Sequence, residues 1–79
     1  MRWVVYLLRC SDGTLYCGIT NDLPRRVGRH ARGDVKYTRG RLPVEVAWHV
    51  KVRDRSAALK REAAVKRLSR AAKLRLCGA

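Results

Sequence analysis

Two short apolar runs on either side of Ser11-Asp12-Gly13 constrain this chain most narrowly. Trp3 to Leu8 is continuously apolar and rich in β-branched and aromatic residues, and Thr14 to Ile19 follows in kind, so the pair reads as a β-hairpin. Strand side chains alternate with period two, so the loop length decides which residues share a face. A two-residue Asp12-Gly13 turn sets Leu8 opposite Cys17 and parts Tyr6 from Tyr16. A three-residue Ser11-Asp12-Gly13 loop places glycine in the third, left-handed position that a G1 bulge requires. Leu8 then faces Tyr16, and Tyr6 faces Gly18. Trp3, Val5, Leu7, Leu15, Cys17 and Ile19 form one apolar face, while Val4, Tyr6, Leu8, Tyr16, Gly18 and Thr20 form a mixed one. The second register sorts the residues better and is the expected one. Both tyrosines then share a face, and Gly18 has a structural role, because a side chain there would crowd Tyr6.

The second strand breaks at a Thr20-Asn21-Asp22 turn and leads into an arginine-rich helix. Asn21 or Asp22 caps that helix, Pro24 is tolerated in its first turn, and Gly33 is its expected C-terminal stop. Leu23, Val27 and Ala31 make its buried seam, with Arg26 and His30 four residues apart at the seam's edge. Arg25, Arg29 and Arg32 point to solvent. Lys36 to Arg41 reads as a basic loop holding Tyr37. Pro43 to Val50 alternates, with Val44, Val46, Trp48 and Val50 on one face and Glu45, Ala47 and His49 on the other, which predicts a third strand. Asp54 or Ser56 starts a helix to about Leu68, and Ser69 caps a last short helix ending near Gly78. No linker or internal repeat interrupts this order. The expected fold is therefore α+β, one domain over residues 1–79.

A domain of 79 residues has few core positions to spare, so a charge in an apolar stripe needs a reason. Glu62 is such a charge. Its same-face neighbours are Ala58, Leu59, Val65 and Lys66, while Lys60, Arg61 and Arg67 occupy the exposed faces. A buried carboxylate costs several kcal/mol, roughly, unless paired or metal-bound. Either Lys66 or an arginine neutralises Glu62, or the carboxylate faces a cleft and holds a cation.

Nineteen Lys+Arg against six Asp+Glu give a formal net charge of +13, which predicts a polyanionic partner. No run of about 18 apolar residues is present to span a membrane. The helices lack the aromatic-rich apolar face of a membrane-surface protein. The six apolar residues after Arg2 are too few for a secretory leader, so the expected location is cytoplasmic. Cys10, Cys17 and Cys77 have no zinc-ligand spacing and read as small buried hydrophobes. No small-molecule cofactor is indicated, and no partner protein can be named. The basic segment's Lys36, Tyr37, Arg39 and Arg41 are the expected nucleic-acid contacts, with Lys66 a further one.

Val4-Val5-Tyr6, Tyr16-Cys17-Gly18 ten residues on, then Thr20, Asp22-Leu23, Arg25-Arg26 and His30 resemble the ordered pattern of the GIY-YIG endonucleases. Ala58 to Glu62 with Val65-Lys66 is similar to that family's glutamate helix. The segment KYTRGRLPVEV resembles the linking segment of its small stand-alone bacterial members. The first triplet departs from the pattern, reading Val-Val-Tyr without glycine or isoleucine. The resemblance implies a central three-stranded antiparallel sheet flanked by helices, and divalent-metal-dependent hydrolysis of a phosphodiester bond. By that resemblance, Tyr16 orients or deprotonates the attacking water, and Arg26 neutralises charge on the phosphorus oxygens. Glu62 holds one Mg²⁺ or Mn²⁺, weakly without substrate, while Tyr6 and His30 complete the hydrogen bonding. It implies DNA as the favoured substrate and RNA as the other candidate. Nothing in the chain resembles a base-reading helix, so low sequence preference is expected, in a setting such as repair or structure-specific cleavage. The competing reading is a non-catalytic DNA- or RNA-binding module on the same scaffold.

Overall fold

A computed structural model describes residues 2–78. Strands β1 (Trp3–Cys10), β2 (Leu15–Thr20) and β3 (Val44–Val52) form one antiparallel sheet in the order β2-β1-β3. Helices α1 (Leu23–Ala31) and α2 (Lys36–Arg39) lie between β2 and β3, and α3 (Arg55–Lys66) and α4 (Arg70–Leu76) follow β3. The β1–β2 register pairs Tyr6 with Gly18 and Leu8 with Tyr16. Gly13 closes the hairpin at φ +84° and donates its N–H to Cys10 O, as the three-residue loop requires.

This register separates two cores. Val5, Leu7 and Cys17 bury against Ala58 and Val65 of α3, with Trp3, Ile19, Trp48, Val50, Val52 and Leu76 around them. On the opposite face Val4, Tyr6 and Leu8 bury against Tyr16, Leu23, Val27 and Val44. Side chains cap the three longer helices. Asp22 accepts from Arg25 N–H, Asp54 from Ala57 N–H, and Ser69 from Ala72 N–H.

Four details differ from the sequence reading. The Lys36–Arg41 segment is not all loop, since Lys36–Arg39 makes a single helical turn. Ala31 is exposed and His30, not Ala31, is buried, because the seam of α1 runs through Leu23, Arg26, Val27 and His30. That is an i, i+3, i+4, i+7 stripe. Leu59 is exposed, so the sheet-facing stripe of α3 is Ala58, Glu62 and Val65. Finally, β3 does not keep one apolar face. Leu7 pairs with Trp48 but Leu8 pairs with Val46, so a bulge at Ala47 shifts the alternation. Val44 therefore joins the tyrosine face, while Trp48 and Val50 join the α3 face.

Candidate active site at the tyrosine face

Tyr6 projects from the central strand and is fully buried, with its hydroxyl reaching under Gly18 of β2. A Cβ at position 18 would stand 2.5 Å from Tyr6 Oη and 2.6 Å from Cζ, so the bare backbone is what admits the phenol. From α1, Arg26 Nε donates to Tyr6 Oη at 3.3 Å. Tyr6 Oη lies 3.4 Å from His30 Nε2, one helical turn further on. The ring of Tyr16 sits 5.1 Å from that of His30 and 6.4 Å from that of Tyr6. Four of the five residues expected to act together are thus neighbours.

Thr38, on α2, is fully buried beside them. Its hydroxyl donates to Val35 O at 3.4 Å, so its lone pairs face His30 Nδ1 at 2.7 Å. Hydrogen-bond accounting then fixes the imidazole: Nδ1 carries the proton donated to Thr38, and Nε2 accepts from Tyr6 O–H. A directed chain results, from Arg26 N–H through Tyr6 and His30 to Thr38 and the Val35 carbonyl. Burial first, then the charges of Arg26 and Arg29, pushes the His30 pKa below its usual 6.5, which keeps the ring neutral. Burial likewise raises the Tyr6 pKa above 10.0, opposed by Arg26, so this phenol stays protonated. The tyrosine hydroxyls, Tyr6 foremost, hold the Arg26 proton more firmly still.

Sequence reasoning missed Thr38. A lone threonine eight residues past a histidine carries no helical or strand period, and no signal marks it before α2 is known. Tyr37 has a place that its sequence context did not suggest. Its ring lies 5.1 Å from Tyr16, with the Arg41 guanidinium 4.4 Å above it. Arg41 also pairs with Asp12 at 3.1 Å, so it is partly committed to the fold. Lys36 and Arg39 are exposed on α2.

Glu62 is not brought into contact with the other four. It sits on the sheet-facing stripe of α3, across β2 from Tyr16, and its charge contributes, after burial, to raising the Cys17 pKa to about 11. Its side chain is 18% exposed and Lys66 Nζ lies 3.5 Å from it, so the carboxylate has its neutralising partner. Among the described residues no three His, Cys, Asp or Glu side chains group to enclose a metal ion. Mg²⁺ keeps several waters and needs only one or two carboxylates when phosphate supplies further oxygens. Glu62, a single carboxylate beside a lysine that is 57% exposed, could hold an ion only with oxygens from substrate and water, and does not by itself make a resident site. No helix among the described residues is long and apolar enough to cross a membrane.

Comparison with known proteins agrees with this architecture. The GIY-YIG catalytic domain family matches residues 2–75. A UPF0213 protein of Cupriavidus pinatubonensis is 46% identical over 77 residues, covering 96% of this chain and 86% of that one. One from the archaeon Natronomonas pharaonis is 51% identical over 73 residues, covering 91% and 86%. The solution NMR structure of a UPF0213 protein from Bacillus halodurans superposes with a TM-score of 0.63 at 40% identity, over 99% of this chain and 84% of that one. The family suggests a nuclease with a nucleic-acid substrate and typically uses a divalent metal, while the UPF0213 names assign no reaction. This chain belongs to the GIY-YIG family, among its small UPF0213 members.

Proposed function

We propose that this protein is a divalent-metal-dependent endonuclease that hydrolyses phosphodiester bonds in cytoplasmic DNA with low sequence preference. The observation that carries the reading is the directed chain from Arg26 through Tyr6 and His30 to buried Thr38. A guanidinium anchored by a protonated phenol is held ready to neutralise charge that grows on a phosphoryl group. Tyr6 is fully buried and serves as that anchor. Tyr16 keeps access to solvent and orients the attacking water, with neutral His30 beside its ring. β2 is an edge strand, so a backbone lying along its rim meets Arg26 from one face and Glu62 from the other. A divalent ion held there by Glu62 would supply charge stabilisation at the leaving oxygen.

The test is a cleavage assay on duplex, single-stranded and branched DNA with Mg²⁺ or Mn²⁺. Arg26→Ala and Glu62→Ala should each slow cleavage by about 100-fold or more while affinity survives. Binding without metal-dependent cleavage of any of these substrates would instead support the second reading, a non-catalytic DNA- or RNA-binding module. The Glu62–Lys66 pair, across the sheet from the tyrosines, is the feature that favours it.

A further inference from the structure

Arg25 and Arg29 take no part in the tyrosine network, yet with Arg26 they line a cleft of about 460 Å³. Thr20 and Asn21, at the end of β2 and in the following turn, and Trp3 also line it. Arg25 and Arg29 are four residues apart on one helix, an arrangement of like charges that is unfavourable. Among the described residues no ion pair offsets it. Five of the six acidic residues are spent elsewhere, as Asp12–Arg41, Asp34–Arg32, Glu45–Arg9, Asp54–Arg53 and Glu62–Lys66 pairs. The sixth, Asp22, borders the cleft but its carboxylate accepts the Arg25 backbone N–H as a helix cap. Among the described residues none of the three arginines is in an ion pair. They therefore surround a polar hollow that is net positive, three guanidiniums against the single Asp22 carboxylate.

We infer that this cleft is a second phosphate site, which holds the backbone phosphate next to the one at Arg26. Arg26 borders both the cleft and the tyrosine cluster, so one strand can lie across the two with consecutive phosphates on either side of it. This deepens the nuclease reading by giving the bound strand a path, from the tyrosine face across Arg26 into the cleft. The contacts are to phosphate alone, so the site selects a phosphodiester strand without reading bases.

The test is fluorescence anisotropy of a labelled single-stranded thymidine oligonucleotide, titrated without metal at several salt concentrations. Arg25→Gln/Arg29→Gln should weaken binding about tenfold or more, and should lower the slope of log affinity against log salt by about 0.7, the value for one single-strand phosphate. Arg67→Gln/Arg75→Gln, an exposed pair on the far side with the same charge change, should weaken binding less than threefold. A strand with one methylphosphonate linkage, moved along its length, should show a position that weakens the unaltered protein and leaves Arg25→Gln/Arg29→Gln indifferent. Equal losses from both arginine pairs would overturn the inference. So would loss of sedimentation with phosphatidylserine vesicles while oligonucleotide binding stays intact. Cleavage plays no part in this readout, so a failed nuclease assay leaves the result interpretable.

Discussion

An alanine at position 18 would carry its Cβ to 2.5 Å from Tyr6 Oη, 2.6 Å from Cζ and 3.2 Å from Cε1. Non-bonded carbon atoms sit best at about 3.5–4.0 Å, so the overlap is near an ångström. The ring cannot recoil freely, because Tyr6 is fully buried and its hydroxyl is engaged by Arg26 and His30. On an open strand the same change would stabilise, by roughly 0.5–1 kcal/mol, since glycine loses more chain entropy on folding. Here an overpacked methyl costs about 1–3 kcal/mol, and two weakened hydrogen bonds cost about 0.5–1.5 kcal/mol each. The net is a loss of about 3 kcal/mol, which for a domain of this size lowers Tm by about 12–24 °C. Thermal and urea unfolding followed by circular dichroism measure it. Gly28→Ala is the control, since its new Cβ meets nothing nearer than Arg32 Nη1 at 3.6 Å. It should stabilise by up to about 1 kcal/mol through helix propensity. In a Tyr6→Leu background the penalty at position 18 should largely vanish, which a double-mutant cycle detects. A Gly18→Ala protein as stable as the parent would refute the packing argument.

Thr38→Val keeps the volume but strands the His30 Nδ1–H, which should cost about 1–3 kcal/mol in urea unfolding, while Thr38→Ser should restore most of it. Imidazole ¹⁵N shifts should show the fixed tautomer lost in the valine protein alone. Because His30 resists protonation when folded, the unfolded chain binds the extra proton first, and stability should fall as pH drops below about 6.5 and hold steady above it. Urea midpoints between pH 8 and 5 test this, a window above the usual carboxylate pKa values, and His30→Gln should flatten the slope. Cys17, buried and with its thiol pushed up to about 11, should resist a disulfide reagent in the native protein while the partly exposed Cys77 reacts. Glu62→Gln should speed Cys17 labelling, because it removes a charge that disfavours the thiolate.

The hairpin was legible because two independent constraints, a period of two and a glycine in the third loop position, admit one register. Placing Tyr6 and Tyr16 on one face followed from that register alone. Ser69 was legible as a cap, while α1 and α3 each offered two candidates, Asn21 or Asp22 and Asp54 or Ser56, between which only the folded backbone selects Asp22 and Asp54. The bulge at Ala47 was not. The valines on either side keep an unbroken alternation along the chain, and only pairing with β1 reveals the extra residue. His30 falls at the edge of the seam that Leu23, Val27 and Ala31 predict, because apolar spacing alone defines that seam. The helix turns so that its imidazole, held by Tyr6 and Thr38, fills the position expected of Ala31. Glu62 was recognised as out of place on an apolar stripe, and Lys66 was one of the two solutions foreseen for it. Its position across β2 from the tyrosines depends on which sheet face α3 covers, and helical spacing cannot specify that.

The commitment of every carboxylate to a cap or an ion pair has a bearing on how the molecule lives in solution. With no acid to spare, the excess of +13 is balanced only by ions from the surrounding electrolyte. In dilute buffer the basic side chains repel one another and press outward on a small core, and added salt relaxes that pressure. A polyanion relaxes it further, because it binds the folded surface and favours the compact state by mass action.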